Sequence, residues 1–162
     1  MNSKKKIIGL NALQKIIGRL KKNGRTIAFT NGCFDILHFG HASYLEAAKK
    51  KDRILVIGLN SDRSIRKIKG PHRPIISQNY RAALIAALSC VDYVTIFDED
   101  TPLKVIQALK PDILIKGADW KGKKVAGSDI VRSNGGKVEF VRYIRGLSSS
   151  RIINIMIDKC KK

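Results

Sequence analysis

The chain has 162 residues, 44% of them hydrophobic and 6% aromatic, with no low-complexity tract, which fits one globular unit with a real core and excludes a disordered or fibrous chain. Three scattered cysteines, Cys33, Cys90 and Cys160, match neither a disulfide framework nor a metal spacing and predict free thiols in a reducing compartment. The 32 basic against 13 acidic residues give a net charge of +19; this favours polyanionic partners, but dispersed lysines and few aromatics argue against a nucleic-acid stacking surface.

Lys4, Lys5 and Lys6 precede Ile7 and Ile8, as at the start of a signal peptide, but Asn11, Gln14 and Lys15 interrupt the apolar run. No stretch is long enough to span a membrane, so the expectation is a cytoplasmic protein with no membrane partner. One domain is expected over residues 1–162, with 1–24 a packing helix and 25–162 an α/β core.

Leu10, Leu13, Ile16, Ile17 and Leu20 recur at helical spacing, and Asn23-Gly24 ends that helix. Residues 26–29 predict a first strand, Thr30-Asn31-Gly32 a turn into the loop that follows, and then a helix with Tyr44, Leu45 and Ala48 that runs to about Lys51. The continuous apolar run 53–59 fits a parallel strand covered on both faces. Asn60-Ser61-Asp62 caps a short helix with Ile65 and Ile68, and Lys69-Gly70-Pro71-His72-Arg73-Pro74 is a loop.

Ser77 is expected to cap a helix through Leu88, with Leu84, Ile85 and Leu88 on its apolar face. Residues 91–97 read as strand three. Thr101-Pro102 opens a helix to Leu109, 113–116 is strand four, and a short helix over 128–133 stops at Asn134-Gly135-Gly136. Residues 137–143 are strand five, and Ser149 or Ser150 caps a last, Ile-rich helix. Strands alternating with helices predict an α/β fold, a Rossmann-like open parallel five-stranded sheet with helices on both faces.

In such sheets ligands sit beyond the carboxyl ends of the strands at the switch point, where the polar clusters fall. Asp35, His38, Gly40 and His41 lie between strand one and the next helix. Unpaired N–H groups and the macrodipole make a helix start a site for phosphate oxygens. Gly40 gives a ligand room near the backbone, and two imidazoles three residues apart reach the same anion and stabilise charge that grows in a reaction. A lone His-x-x-His would be incidental, and a zinc site needs a third ligand that neither Cys33 nor Asp35 supplies; no metal-ligating residue is expected.

The stretch Thr30-Asn31-Gly32-Cys33-Phe34-Asp35-Ile36-Leu37-His38-Phe39-Gly40-His41 resembles the signature of the cytidylyltransferase-like nucleotidyltransferases, whose His-x-Gly-His element holds a nucleotide triphosphate. Its Thr-Asn-Gly-Cys-Phe-Asp form is similar to that of the bacterial heptose 1-phosphate adenylyltransferases, and the likeness runs almost to the end of the chain. The resemblance implies His38, His41, Lys69 and Arg73 as catalytic residues. It implies nucleotide contacts from Thr30, Asn31, Gly32, Phe34, Gly40, Lys116, Gly117, Asp119, Trp120, Ser148, Ser149 and Ser150. Asp35, Asn60, Arg81 and Arg142 fall to the second substrate.

Each cluster also has a plainer reading. Lys69, Arg73 and Arg81 are otherwise a solvated basic loop, although the family's Lys-Gly-x-x-Arg-Pro segment and helical arginine would grip phosphates, arginine with two donors at once. Trp120 in isolation is core filler or site aromatic with equal weight, whereas Asp119, an acid at a glycine turn after a strand, suits a ribose hydroxyl or a metal. Ser148 to Ser150 read as a helix cap that also cradles phosphate; the family's usual Gly-x-Ser-Thr-Thr keeps a hydroxyl at each of these places. Arg142-Tyr143-x-Arg145 is more basic than in heptose enzymes and resembles the element preceding the same motif in glycerol-3-phosphate cytidylyltransferases.

The resemblance therefore implies transfer of AMP from ATP to a heptose 1-phosphate, giving ADP-heptose and pyrophosphate, with Mg²⁺ bound mainly through the nucleotide phosphates. It implies a separate sugar kinase and phosphatase upstream, and a homodimer is an open expectation. The alternatives are the same chemistry with CTP and glycerol 3-phosphate, or a basic nucleic-acid-binding domain on the same scaffold.

Overall fold

The computed structural model describes residues 3–142, 144 and 146–161. Five strands form one sheet in the order β3-β2-β1-β4-β5: β1 (Thr26–Gly32), β2 (Arg53–Asn60), β3 (Tyr93–Phe97), β4 (Ile113–Gly117) and β5 (Lys137–Val141). Every described pairing is parallel. The helices are α1 (Leu10–Lys22), α2 (Phe39–Ala48), α3 (Asp62–Lys69), α4 (Gln78–Ala87), α5 (Leu103–Leu109), α6 (Ser128–Ser133) and α7 (Ser149–Cys160). The expected doubly covered parallel sheet is thus the observed one. None of the described helices is long and apolar enough to cross a membrane.

Side-chain alternation divides the core between the two faces of the sheet. Ile27 and Phe29 of β1, Ile54 and Val56 of β2 and Leu114 of β4 pack with Leu13 and Ile17 of α1, Val105, Ile106 and Leu109 of α5, and Val131 of α6. Ala28, Leu55, Ile57, Leu59, Ile113 and Ile115 point the other way, onto Leu45 and Ala48 of α2 and Ala82, Ile85 and Ala86 of α4. β2 is buried along its whole length, as its unbroken apolar run requires. Gly58 has no side chain because a Cβ there would lie 2.7 Å from the Phe29 ring.

Several boundaries differ from expectation. Thr30-Asn31-Gly32 is not a turn but the last part of β1, paired with Ile57, Gly58 and Leu59. α2 stops at Ala48, short of Lys51, and β5 ends at Val141; Tyr143, within the expected strand five, and Arg145 lie outside the described residues. Leu84 is 43% exposed instead of core-facing, because Arg81 takes a buried position on α4 beside Ala82, Ile85 and Ala86. Pro102 precedes α5 as its cap rather than opening it. Ser148, not Ser149 or Ser150, caps α7, its hydroxyl accepting from the Arg151 N–H at 3.2 Å.

Because β1 and β2 run outward on one side and β4 and β5 on the other, the strand order reverses between β1 and β4. That switch point is where an open parallel sheet leaves a crevice beyond its carboxyl ends.

Candidate active site

A cleft of about 630 Å³ opens there, lined from β1 and its loop by Asn31, Gly32, Cys33, Phe34, His38, Gly40 and His41, and from α2 by Tyr44. Asn60 and Lys69, then Asp100-Thr101-Pro102, come from the chain after β2 and β3. Lys116, Gly117, Asp119 and Trp120 follow β4, and Leu147 to Ser150 lead into α7. A volume of this size suits a nucleotide-sized ligand.

At its centre His38 and His41 stack, with ring centroids 3.8 Å apart and planes at 18°. His38 occupies the N-cap position of α2 in an extended conformation without using its side chain as a cap. Both its ring nitrogens, and Nδ1 of His41, are buried without a protein partner, an arrangement that leaves donors for a ligand. Burial, the neighbouring His38 and the Lys69 charge push His41 down to about 4, against a hydrogen bond to the Ile36 backbone. Burial also lowers His38.

Phe34 stands behind the pair, its ring 5.1 Å from that of His41. Its φ of 45° places a bulky residue in the left-handed region, uncommon without a surrounding constraint. Gly40 has a reason other than ligand approach: a Cβ there would lie 3.1 Å from the His38 ring, so the glycine makes room for the imidazole.

The basic loop is tied to the histidine loop through Asp35. This carboxylate is 1% exposed and accepts from the Ile75 and Ile76 N–H groups at 2.8 and 3.0 Å and from Arg73 Nε at 2.6 Å. Burial pushes Asp35 up, but those two N–H groups and the Arg73 guanidinium outweigh it and hold the carboxyl below its usual value. Asp35 therefore organises the two loops instead of facing a substrate. Arg73 retains a buried NH2 group without a partner, and its NH1 lies 3.5 Å from the Ser150 hydroxyl.

Arg81 corrects the expectation most clearly. It is 0% exposed and donates to the carbonyls of Ile76, Cys33 and Asn60 and to the Asp62 carboxylate. With its donors committed to backbone beneath the site, it props up the loops that form the cleft. Arg142 is exposed and is not part of the cleft wall.

On the β4 side, Lys116 shares the Leu114 face of its strand and so meets Asn31, which lies on the Phe29 face of β1; its Nζ donates to Asn31 Oδ1 at 2.6 Å. Burial pushes Lys116 down to about 8, opposed by Asp119. The ammonium sits 5.4 Å from the Trp120 ring centroid, a cation–π distance. Trp120 is 39% exposed and lines the cleft, so the core-filler reading fails.

Thr30 is buried and reaches the cleft only through a 2.9 Å hydrogen bond shared with Tyr44. The serines divide their tasks: Ser148 caps α7, Ser149 donates to the Ile36 carbonyl at 3.3 Å, and Ser150 faces Arg73. Lys69, at the end of α3, and Asn60, at the end of β2, line the cleft.

Tyr44, Cys33, Leu147 and the segment 100–102 are cleft residues that motif reasoning missed. Tyr44 was legible only as a helix-face aromatic, and nothing in the local pattern folds Asp100 back over the site.

A parallel sheet with a cleft at its switch point, basic side chains around it and two imidazoles at a helix start is a geometry suited to phosphate groups. Sequence comparison narrows this. The profile described as cytidylyltransferase-like matches residues 29–155. The bifunctional protein HldE of Syntrophotalea carbinolica is 50% identical over 148 residues, 91% of this chain and 30% of that protein. HldE of Campylobacter fetus is 55% identical over 150 residues, 93% and 31% of the two chains.

A crystal structure described as the lipopolysaccharide core biosynthesis protein from Thermoplasma volcanium superposes with a TM-score of 0.59 at 34% identity, covering 74% of this chain and 96% of that one. The chain belongs to the cytidylyltransferase-like family. It spans about a third of the length of the bifunctional relatives.

Proposed function

We propose that this domain joins ATP and a heptose 1-phosphate to give ADP-heptose and pyrophosphate, a step toward lipopolysaccharide or a related surface glycan. The observation that carries the reading is the stacked His38–His41 pair at the start of α2, in which both ring nitrogens of His38 and Nδ1 of His41 are buried without a protein partner. The likeness of residues 30–35 to the heptose 1-phosphate adenylyltransferases supports the choice of substrates, and the similarity to a protein described as serving lipopolysaccharide core biosynthesis agrees with it.

In this reading a phosphate oxygen of the sugar attacks the α-phosphorus of ATP in line, and the bond to the β-phosphate oxygen breaks to release pyrophosphate. No protein nucleophile is needed, so catalysis is positioning and charge neutralisation. The histidines hold the α- and β-phosphates from the helix start. Lys69 and Arg73 add positive charge, and the N-terminus of α7, with Ser150, meets the triphosphate tail. Trp120, Lys116 and Leu147 bound the nucleoside side of the cleft, and Asp119 suits a ribose hydroxyl.

Mg²⁺ fits as an ion carried by the triphosphate: the cleft wall holds Asp119 and Asp100 as separate hard-oxygen donors beside cationic groups, and Mg²⁺ takes one or two carboxylates together with phosphates and waters. Bound there, it would neutralise charge on the phosphate oxygens. In this reading a sugar kinase acts earlier to make the acceptor, and a phosphatase acts with it where the sugar carries a second phosphate that has to be removed, both in the cytoplasm with this enzyme.

The experiment is product analysis: incubation with ATP, Mg²⁺ and heptose 1-phosphate should yield ADP-heptose and pyrophosphate in equal amounts. Steep salt-dependent binding of duplex DNA without nucleotide turnover would favour the nucleic-acid reading instead.

A further inference from the structure

Tyr44 belongs to no motif, and its hydroxyl is a polar group of the cleft that the proposed chemistry leaves unused. One turn after His41 on α2, the residue packs on the core between that helix and the sheet and also lines the cleft. Its oxygen lies 2.9 Å from Thr30 Oγ1. Each hydroxyl carries one proton and the two share one hydrogen bond, so one proton is left over.

Burial decides which proton that is. Thr30 is 1% exposed and is not part of the cleft wall, and Tyr44 is the hydrogen-bond partner of its side chain. If Tyr44 donated, the threonine proton would be buried with no acceptor, whereas an unused lone pair is better tolerated. Thr30 therefore donates to Tyr44, and the phenolic O–H is left for the cleft. Burial pushes the phenol up to about 12, with the Thr30 bond opposing and the Asp119 charge adding to the rise, so Tyr44 keeps its proton at neutral pH.

The neighbour of this donor tells what it meets. Asp119, from the turn after β4, lines the same cleft, and its charge reaches the phenol. Among the described residues no hydrogen bond joins the two side chains; the phenol is bonded to Thr30. A carboxylate repels a phosphate but accepts from a hydroxyl. A group that accepts from Tyr44 and donates to Asp119 is itself a hydroxyl, and in ATP the hydroxyls outside the phosphates are those of the ribose.

Resting on the proposed use of ATP, we infer that Tyr44 is a specificity residue: its O–H, oriented by Thr30, donates to a ribose hydroxyl that donates in turn to Asp119, and this selects ribonucleotides over deoxyribonucleotides. The row from Thr30 through Tyr44 and the ribose to Asp119 runs in one donor direction, so each bond polarises the next. Thr30, which does not reach the cleft itself, acts on the nucleotide through Tyr44.

The test is calorimetric binding of ATP, 2′-deoxy-ATP and 3′-deoxy-ATP, without acceptor, to the full chain and to its Tyr44→Phe and Thr30→Val variants. Tyr44→Phe keeps the ring in the core and removes one oxygen. The wild type should bind one of the deoxy nucleotides about tenfold more weakly than ATP, and Tyr44→Phe should weaken ATP by about the same factor. That same deoxy nucleotide should bind wild type and Tyr44→Phe alike, and Thr30→Val should lose part of the preference for ATP. An unchanged ATP affinity in Tyr44→Phe, or an equal loss for ATP and both deoxy nucleotides, overturns the inference; a full preference in Thr30→Val overturns the orienting role of Thr30. The expected binding pattern without transfer to any sugar phosphate overturns the proposed reaction and leaves the inference standing, whereas a wild type that binds no ATP overturns both.

Discussion

His38 and His41 lie face to face, 3.8 Å between ring centroids, with no protein group bonded to either nitrogen of His38. A proton on one ring places charge against the other in a buried setting, so the folded chain keeps both neutral where an isolated imidazole would begin to charge. Phosphate binding reverses this preference, because the anion favours the charged form of whichever ring it touches.

That pair makes stability pH-dependent. The unfolded chain protonates His41 near 6.5 and the folded chain near 4, so the unfolded state binds more protons as pH falls between these values. Its contribution is intact above about pH 6.5, is reduced by about 2 kcal/mol at pH 5, and levels off below the folded value. Urea unfolding of the ligand-free protein at pH 7.5 and pH 5 should show the loss, and His41→Ala should flatten it. An identical pH slope in that variant would contradict the assignment.

His41→Ala should lower kcat by roughly 10² to 10³, the usual cost of removing one preorganised donor, with little change in stability at pH 7.5. Near-normal kcat in the folded variant would remove His41 from the chemistry.

Gly40→Ala tests the space that the glycine leaves. The new methyl would stand 3.1 Å from the His38 ring, so the imidazole has to shift by a few tenths of an ångström. Turnover should fall by about tenfold or more while the melting temperature stays close to wild type. A fully active variant would mean that the placement of His38 is not critical.

The two arginines should separate. Arg81→Ala strands three carbonyls and leaves the partly exposed Asp62 carboxylate unpaired, and should cost about 4 kcal/mol or more. Arg73→Ala leaves the buried Asp35 without its cation and should cost about 3 kcal/mol. It should also raise a phosphate-substrate KM or lower kcat at temperatures where the variant is fully folded. Denaturation and kinetics measured together check both, and unchanged kinetics in folded Arg73→Ala would return it to a purely structural role.

The elements that periodicity made legible are those whose burial is simple: the doubly covered β2, α1 with Leu13 and Ile17, and α6 between its glycines. Misreadings fall where tertiary partners override local chemistry. Thr30-Asn31-Gly32 has turn composition, yet pairing with Ile57 to Leu59 extends the strand. Arg81 carries the charge of a surface residue, and the three carbonyls and the Asp62 carboxylate converging on it explain its burial. The motif residues were legible because their spacing is local. The Asp100 segment was not, since it joins the cleft through ties to α3 from about 35 residues away in sequence.

The central claim is nucleotidyl transfer from ATP to a heptose 1-phosphate, and the most direct measurement is pyrophosphate release with ATP and CTP, each against heptose 1-phosphate and glycerol 3-phosphate. A cleft that hydrogen-bonds one base leaves buried groups unpaired with another, and discrimination of this kind reaches ~10⁴ in kcat/KM. The account predicts the fastest turnover with ATP and heptose 1-phosphate, by a wide margin. Faster turnover with CTP and glycerol 3-phosphate would contradict it.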